Sequence, residues 1–400
     1  MNIYTDFARV TKELFSEIAS IWYVVDSSST KIIVKVPSNA IKSILQGCKV
    51  LLFFSKDYYE SNNYIHTGIR IYDDEINYMN IIGTNRFYDE NYALRCIMED
   101  SQTAIDFYNE LDICVASVVV KLDKNEGDSI IELLGNLDIL YVGEFDAKAK
   151  ASLDNLDYTL DKSRPFKHAK ELSVTYITPQ FLNWKTINHH FYGTNELYNF
   201  NIEGLDDGNL LETQVWASLD YLFGQGLYAS PYILKGGMKK ELIDVFSFYD
   251  KGIFLIEAKA LGFNRMVHEN AMDKKVKNIK KQIQKALNQI VGANRNITKN
   301  VNIYSKDGTK LIFDRSIVPH GIVLVSELFP FDDWNHIIKE MEIKSREHNI
   351  MLSVLDLKQL AKYVKQSHGK QFYLDVYLML HFEAVHKKKS LFVDIEIKEN

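Results

Sequence analysis

Glu257-Ala258-Lys259 closes a run of apolar residues, and a lone aspartate, Asp244, lies upstream of it with twelve residues between. Side chains alternate along a strand, so Glu257 and Lys259 share one face while Ile256 and Ala258 take the other. The segments ELIDVFSFY (241–249) and GIFLIEAKA (252–260) flank Asp250-Lys251 and are followed at Gly252 by a residue suited to a tight hairpin. A two-residue loop sets Tyr249 opposite Gly252 and Asp244 opposite Glu257; a three-residue loop shifts that register. Opposed residues share a face with Cβ atoms about 4.5–5.5 Å apart. Two acids that close resist joint ionisation unless a cation lies between them. A hard divalent ion meets that need, Mg2+ first, since it accepts one or two carboxylates completed by waters and phosphate oxygens. The apolar stretch Ile253 to Ile256 points to a buried strand. An E-x-K triplet alone is equally an ordinary solvated strand end, and Asp244 alone could cap a loop; the combination carries the reading.

Two neighbouring segments belong with these acids. In LLETQVWASLDYLF (210–223), Val215, Trp216, Leu219, Leu222 and Phe223 form one helical stripe, with Glu212 near its middle. A carboxylate on a core-facing surface is costly unless a cation meets it. The plain alternative is an acid in the first helical turn, where the dipole favours it. Downstream, residues 265–299 hold nine basic side chains against Glu269 and Asp273. Ile279, Ile283, Leu287 and Ile290 recur at helical spacing, so one face packs and another is positive. Gln282, Lys285 and Gln289 fall within two turns, with Lys281 beside them. Such a face is ordinarily just solvated; directly after an acid cluster it could also hold a phosphodiester.

The elements that must position these residues are expected in two parts. Residues 1–165 read as an α+β module of unassigned role. A helix is expected near 6–20, strands at Lys31–Val36, Lys49–Phe54, Tyr64–Tyr72 and Glu75–Ile82 with a turn at Tyr72-Asp73-Asp74-Glu75, and a second helix over 100–112. Ile113 to Val120 is strand-sized or part of a buried helix. The polar stretch 143–170 reads as a domain junction and 166–204 as a connector. From 205 to 365 the pattern is α/β: the 210–223 helix, the hairpin, a basic helix (268–293), a buried strand His320–Ser326 and a strand-helix unit (350–364). A helix near 371–386 and a tail complete 366–400.

Composition bounds the rest. The chain has 400 residues, 46% hydrophobic and 25% charged, ordinary globular proportions that exclude a disordered or fibrous protein. The formal net charge is -6, yet residues 1–150 carry 14 basic against 23 acidic side chains and residues 235–300 carry 14 against 6. The local patch, rather than the total, governs whether a polyanion is held. Cys48, Cys96 and Cys114 form no C-x-x-C pair, so a zinc ribbon or disulfide framework is not expected. No apolar run reaches the roughly 18 residues of a membrane span. Charged residues from Asp6 to Glu13 interrupt any leader-like stretch, so no membrane partner and a cytoplasmic location are expected.

The pattern of Glu212 on a helix, Asp244 on a strand, Glu257-Ala258-Lys259 and a glutamine-bearing helix after it resembles the PD-(D/E)XK nuclease superfamily. The resemblance covers roughly 205–365 and departs from the eponymous pattern in having no proline before Asp244. It implies a restriction-endonuclease-like mixed sheet flanked by helices and a metal-dependent phosphodiester hydrolase, with DNA the usual substrate. It further implies Mg2+, or Mn2+ in its place, held by Asp244, Glu257 and the Ala258 carbonyl, with Glu212 completing the shell. Lys259 would act on the attacking water, and Gln289 or Gln282 with Lys285 and Lys281 would hold the backbone phosphate. By analogy alone it suggests defence against phage or foreign DNA, with the acidic first module engaging a partner protein or a second copy.

Other chemistries lack their motifs. There is no G-x-x-x-x-G-K-[ST] loop and no G-x-S-x-G elbow, and His189-His190 and His268-Glu269 have no partner at metal-ligand spacing. Two further readings stay open: a non-catalytic nucleic-acid- or protein-binding module on a nuclease-like fold, and an interaction protein whose acids pair with neighbouring lysines.

Overall fold

The computed structural model describes residues 4–27, 29–72, 78–162, 169–191, 197–204, 206–224, 226–260, 271–328, 333–393 and 395. Among these, no helix is long and apolar enough to cross a membrane. The chain is mixed α/β and divides into two compact units, Met1–Ile187 and Asn188–Asn400.

Among its described residues the first unit holds two sheets. One runs Ser20–Val25, Thr30–Lys35, Gln102–Tyr108, Cys114–Lys121, Gln180–Thr186, and the other Tyr78–Asn85, Asn62–Tyr72, Val50–Tyr59, Val174–Ile177. The helix expected over 100–112 is instead a strand, because Thr103, Ile105 and Phe107 are buried in strict alternation. The helix lies just before it, Tyr88–Asp100, and ends where left-handed Ser101 donates its N–H to Ile97 O. The polar stretch around 143–170 contains the helix Ala147–Leu160, capped by Asp146. Its polar face is buried because Ser152 Oγ and Asn155 Nδ2 donate to the buried Asp57 carboxylate at 2.8 and 2.9 Å. A buried acid met in this way costs little. The expected turn at residues 73–75 lies outside the described residues.

In the second unit, helix α1 (Asp207–Phe223) leads into β1 (Leu227–Ala229), then the hairpin β2 (Tyr232–Lys235) and β3 (Met238–Glu241). Next come β4 (Val245–Tyr249), β5 (Gly252–Lys259), helix α2 (Ala271–Thr298) and β6 (Ile303–Tyr304). The unit continues with β7 (His320–Val325), α3 (Asn335–His348), β8 (Met351–Asp356), α4 (Leu357–Gln366) and α5 (Gln371–Lys388). The central sheet has the order β1-β4-β5-β7-β8, with β1, β4 and β5 antiparallel and β5, β7 and β8 parallel. β2 pairs with β3 on one side and β6 on the other in a small separate sheet.

Helices cover both faces of the central sheet, which is why β7 is buried along its whole length. Phe223 of α1 meets Phe254 at 5.3 Å between ring centroids, on one face. On the other, Gly321 opposes Leu255, and α2 approaches so closely that a Cβ on Gly321 would stand 2.5 Å from Ile290 Cγ2 and 2.7 Å from Leu352 Cδ2. The bare Cα thus sets the depth at which α2 seats on the sheet. Gly321→Ala should destabilise the unit by about 1–3 kcal/mol, the cost of overpacking a filled core. A lowered urea midpoint at unchanged slope is the expected reading, and an unchanged midpoint would show that Ile290 and Leu352 yield freely.

Candidate active site

The hairpin register is Tyr249 opposite Gly252 through Val245 opposite Ile256, the two-residue-loop pairing. The ladder stops there. Asp244 sits one residue beyond it at a bend, and its Oδ2 accepts the Ala258 N–H at 2.8 Å instead of facing Glu257 across a ladder rung. Glu257 is 1% exposed. Lys259, two residues on and on the same face, donates to Glu257 Oε1 at 2.6 Å and lies 3.9 Å from Asp244 Oδ2. One ammonium therefore stands between two carboxylates at the end of an apolar strand.

Burial lifts the pKa of both acids. For Glu257 burial is the largest cause and the Asp244 charge the next, and together they bring it from 4.5 to about 7 despite the hydrogen bond from Lys259. Asp244 is raised by burial too, with Lys259 and the Ala258 N–H opposing. A carboxyl near half-protonation at neutral pH inside a cleft is a common mark of a functional group.

Glu212 lies in the second turn of α1, past the first turn, where the acid is Asp207, and it is exposed although it points in the direction of the core stripe. At the helix pitch it lies about 60° from Val215 and about 20° from Leu219, on the side of the packed face, which leaves it partly desolvated. Its pKa is raised, by desolvation first and then by the charges of Asp244 and Glu241, which brings it within electrostatic reach of the pair.

A cavity of ≈ 650 Å3 opens beside Asp244 and Glu257, and Lys285, Asn288 and Gln289 of α2 form its opposite wall. Positions i, i+3 and i+4 share one helical face, which explains why these three arrive together. Gln282 and Lys281 lie on α2 outside the lining, and the side chain of Lys281 is exposed. Arg265 and His268-Glu269 fall outside the described residues. His189, on a short strand paired with Leu197–Asn199, is exposed. Two lining residues, Lys240 and Glu241, escaped the sequence reading. Gly236-Gly237 between two short runs was the signal for the hairpin that carries them. The Glu241 charge also raises Asp244 and Glu257.

Among the described residues, no group of three or more His, Cys, Asp or Glu side chains converges as a metal cluster. Two carboxylates, both disfavoured as anions by their surroundings, are still a donor set that Mg2+ accepts when water and phosphate oxygens complete the shell. Comparison of the chain with protein-family models, with curated proteins and with solved structures finds no match. What stands is the coarser class: a mixed α/β chain of two units, with an acid–ammonium cluster at a strand end facing a polar helix.

The raised pKa of Glu257 has a definite sign. The folded state holds its proton more tightly than the unfolded chain, so between about pH 4.5 and 7 the folded state loses stability as pH rises. Glu257→Gln removes this loss, so urea midpoints across that window should shift in favour of the variant as pH climbs, on the order of 3 kcal/mol in total. A gap independent of pH would mean that Glu257 titrates normally.

Proposed function

We propose that the chain is a divalent-metal-dependent nuclease that hydrolyses phosphodiester bonds in DNA, its second unit being a restriction-endonuclease-like domain. The observation that carries this reading is the placing of Lys259 between Asp244 and Glu257, at a cavity whose far wall is Lys285 and Gln289. An antiparallel hairpin continued by parallel strands and crossed by α2 supports it as well. Mg2+ or Mn2+ held by Asp244, Glu257 and the Ala258 carbonyl would neutralise phosphate charge and acidify a water.

The chain's own groups do the rest. Lys259 exchanges its contact with Glu257 for the attacking water and then balances the charge gathering on the phosphate oxygens. Lys285 and Gln289 hold non-bridging oxygens across the cavity, Lys285 by charge and Gln289 through its amide donors. Lys281 and Gln282 stand up to two turns earlier on α2 and serve neighbouring phosphates. Glu212, at the margin, holds a water on the side away from α2.

The Lys259–Glu257 ion pair also favours a second reading, in which the acids are simply neutralised by the lysine and the unit binds nucleic acid without cleaving it. Incubation of the purified chain with linear, supercoiled and single-stranded DNA in Mg2+ or in EDTA separates the two. Cleavage should require the metal and fall by about 10²–10³ in Asp244→Asn and in Lys259→Ala, the usual scale for one charge-stabilising group. Mg2+ or Mn2+ should raise the melting temperature of the parent and not of Asp244→Asn. Cleavage that survives both substitutions would place the chemistry elsewhere, and an unmoved melting temperature would favour the lysine-neutralised reading.

A further inference from the structure

The β2–β3 hairpin exposes more than a folded core requires. Every residue from Leu234 to Glu241 is exposed. Its turn is the two residues Gly236 and Gly237, at φ +59 and +81, closed by the pair Lys235 and Met238. Two consecutive positive φ values match the native strand twist, which makes the tip tight. At that tip Met238 is 74% exposed, and Leu234 behind it is 50% exposed.

Pairing assigns the faces. Ile233 opposes Lys240 and Lys235 opposes Met238, so these four side chains lie on one side. Ile233 and Lys240 line the cavity that contains Asp244 and Glu257, so Lys235 and Met238 extend the same wall outward. On the reverse side Lys239 is placed over the Tyr232 ring at 4.4 Å. Lys235 and Lys240 have no acidic partner within ion-pair distance among the described residues. Facing them across the cavity is the Lys285 face of α2, continued by exposed Lys281 and Lys277.

Two unneutralised ammonium groups with an apolar side chain at a stiff tip match the chemistry of a DNA duplex. Phosphates take the lysines, and an apolar wedge such as methionine enters between base pairs and kinks the helix. A hairpin that was only solvated would have no need of a methionine 74% exposed beside its turn. We infer that the Tyr232–Glu241 hairpin is a DNA clamp: Lys235 and Lys240 grip backbone phosphates, and Met238 enters a base step of a duplex laid across the mouth of the cavity, over the hairpin and α2. This rests on the reading of the neighbouring acids as a DNA-cleaving site, and it adds how the substrate is held and deformed there.

The full chain carrying Asp244→Asn is titrated with duplexes bearing 2-aminopurine at successive positions, by anisotropy and by fluorescence, over a range of salt. The parent hairpin should brighten 2-aminopurine at one step, and Met238→Ala should abolish that rise while retaining most binding. Lys235→Ala with Lys240→Ala should weaken binding about tenfold and flatten the salt dependence by about 0.9 per lysine removed. All three positions are exposed, and an unchanged circular dichroism melt confirms that the variants fold. Affinity, salt slope and 2-aminopurine signal that match the parent's would overturn the clamp, while the cleavage reading still stands or falls on Asp244 and Lys259. Should chains with Asp244→Asn and with Lys259→Ala both go on cleaving in Mg2+ while the double lysine variant loses affinity, the cleavage site lies elsewhere and the clamp stands.

Discussion

A single ammonium holds together the polar end of an apolar sheet. Glu257 is carried into the interior by a strand whose other residues are almost all buried, and it lies close to a second acid. Burial of an unpaired carboxylate is among the more expensive events in folding, and breaking a buried pair by removing one partner leaves that cost exposed. Lys259 meets the cost by bridging Glu257 and Asp244, and the Ala258 N–H adds a second contact to Asp244. A group held in this way gives up its partner readily to a competing cation, since the acids on either side remain only partly compensated.

The depth of the cavity is set by apolar packing rather than by the polar groups that line it. α2 seats against β5 and β7 through Ile279, Ile283, Leu287 and Ile290, all fully buried. Its next face then necessarily turns Lys285 and Gln289 towards the acids. The glycine at 321 lets this approach become close. A positive wall and a negative floor are thus positioned by the same hydrophobic contact, and electrostatics need only act across a gap already fixed.

The first unit shows the same economy with a different outcome. Asp57 is fully buried there, and Ser152 and Asn155 supply its hydrogen bonds from a helix that looks too polar to be covered. Because Ser152 donates to Asp57, it accepts from His66 Nε2 at 2.8 Å, and burial drives the His66 pKa down to about 4. Lys170, which is half exposed, adds its ammonium to the other oxygen of Asp57 at 2.5 Å, so this network is neutralised from the surface, whereas the Asp244–Glu257–Lys259 cluster opens onto a cavity. Burial of titratable groups alone therefore distinguishes little; an accessible face beside them does.

Periodicity and turn chemistry in the amino-acid order were enough to define the hairpin. Two residues of loop, an apolar run and a period of two place Glu257 and Lys259 on one face, and the observed pairing of Tyr249 with Gly252 follows from those local facts. The buried face of α2, the strand from His320 and the strand-helix unit after Ile350 were legible for the same reason. The strand at Gln102–Tyr108 is also written locally, in the alternation of Thr103, Ile105 and Phe107, against the helix expected over 100–112. What no local pattern contained was distance between remote segments. Glu212 is exposed although buried Leu219 and Phe223 point in the same direction from α1, because which turns of a helix are covered is decided by remote segments. Gln289, and not Gln282, reaches the cavity because the acids lie beside the later turns of α2, although the two glutamines share one face of the helix. Glu241 and Lys240 arrived from a hairpin whose position depends on pairing with Ile303 and Tyr304, some sixty residues further on. Alternation and turns act between neighbours along the chain, whereas the gap a ligand would enter is a sum of contacts between parts the sequence keeps far apart.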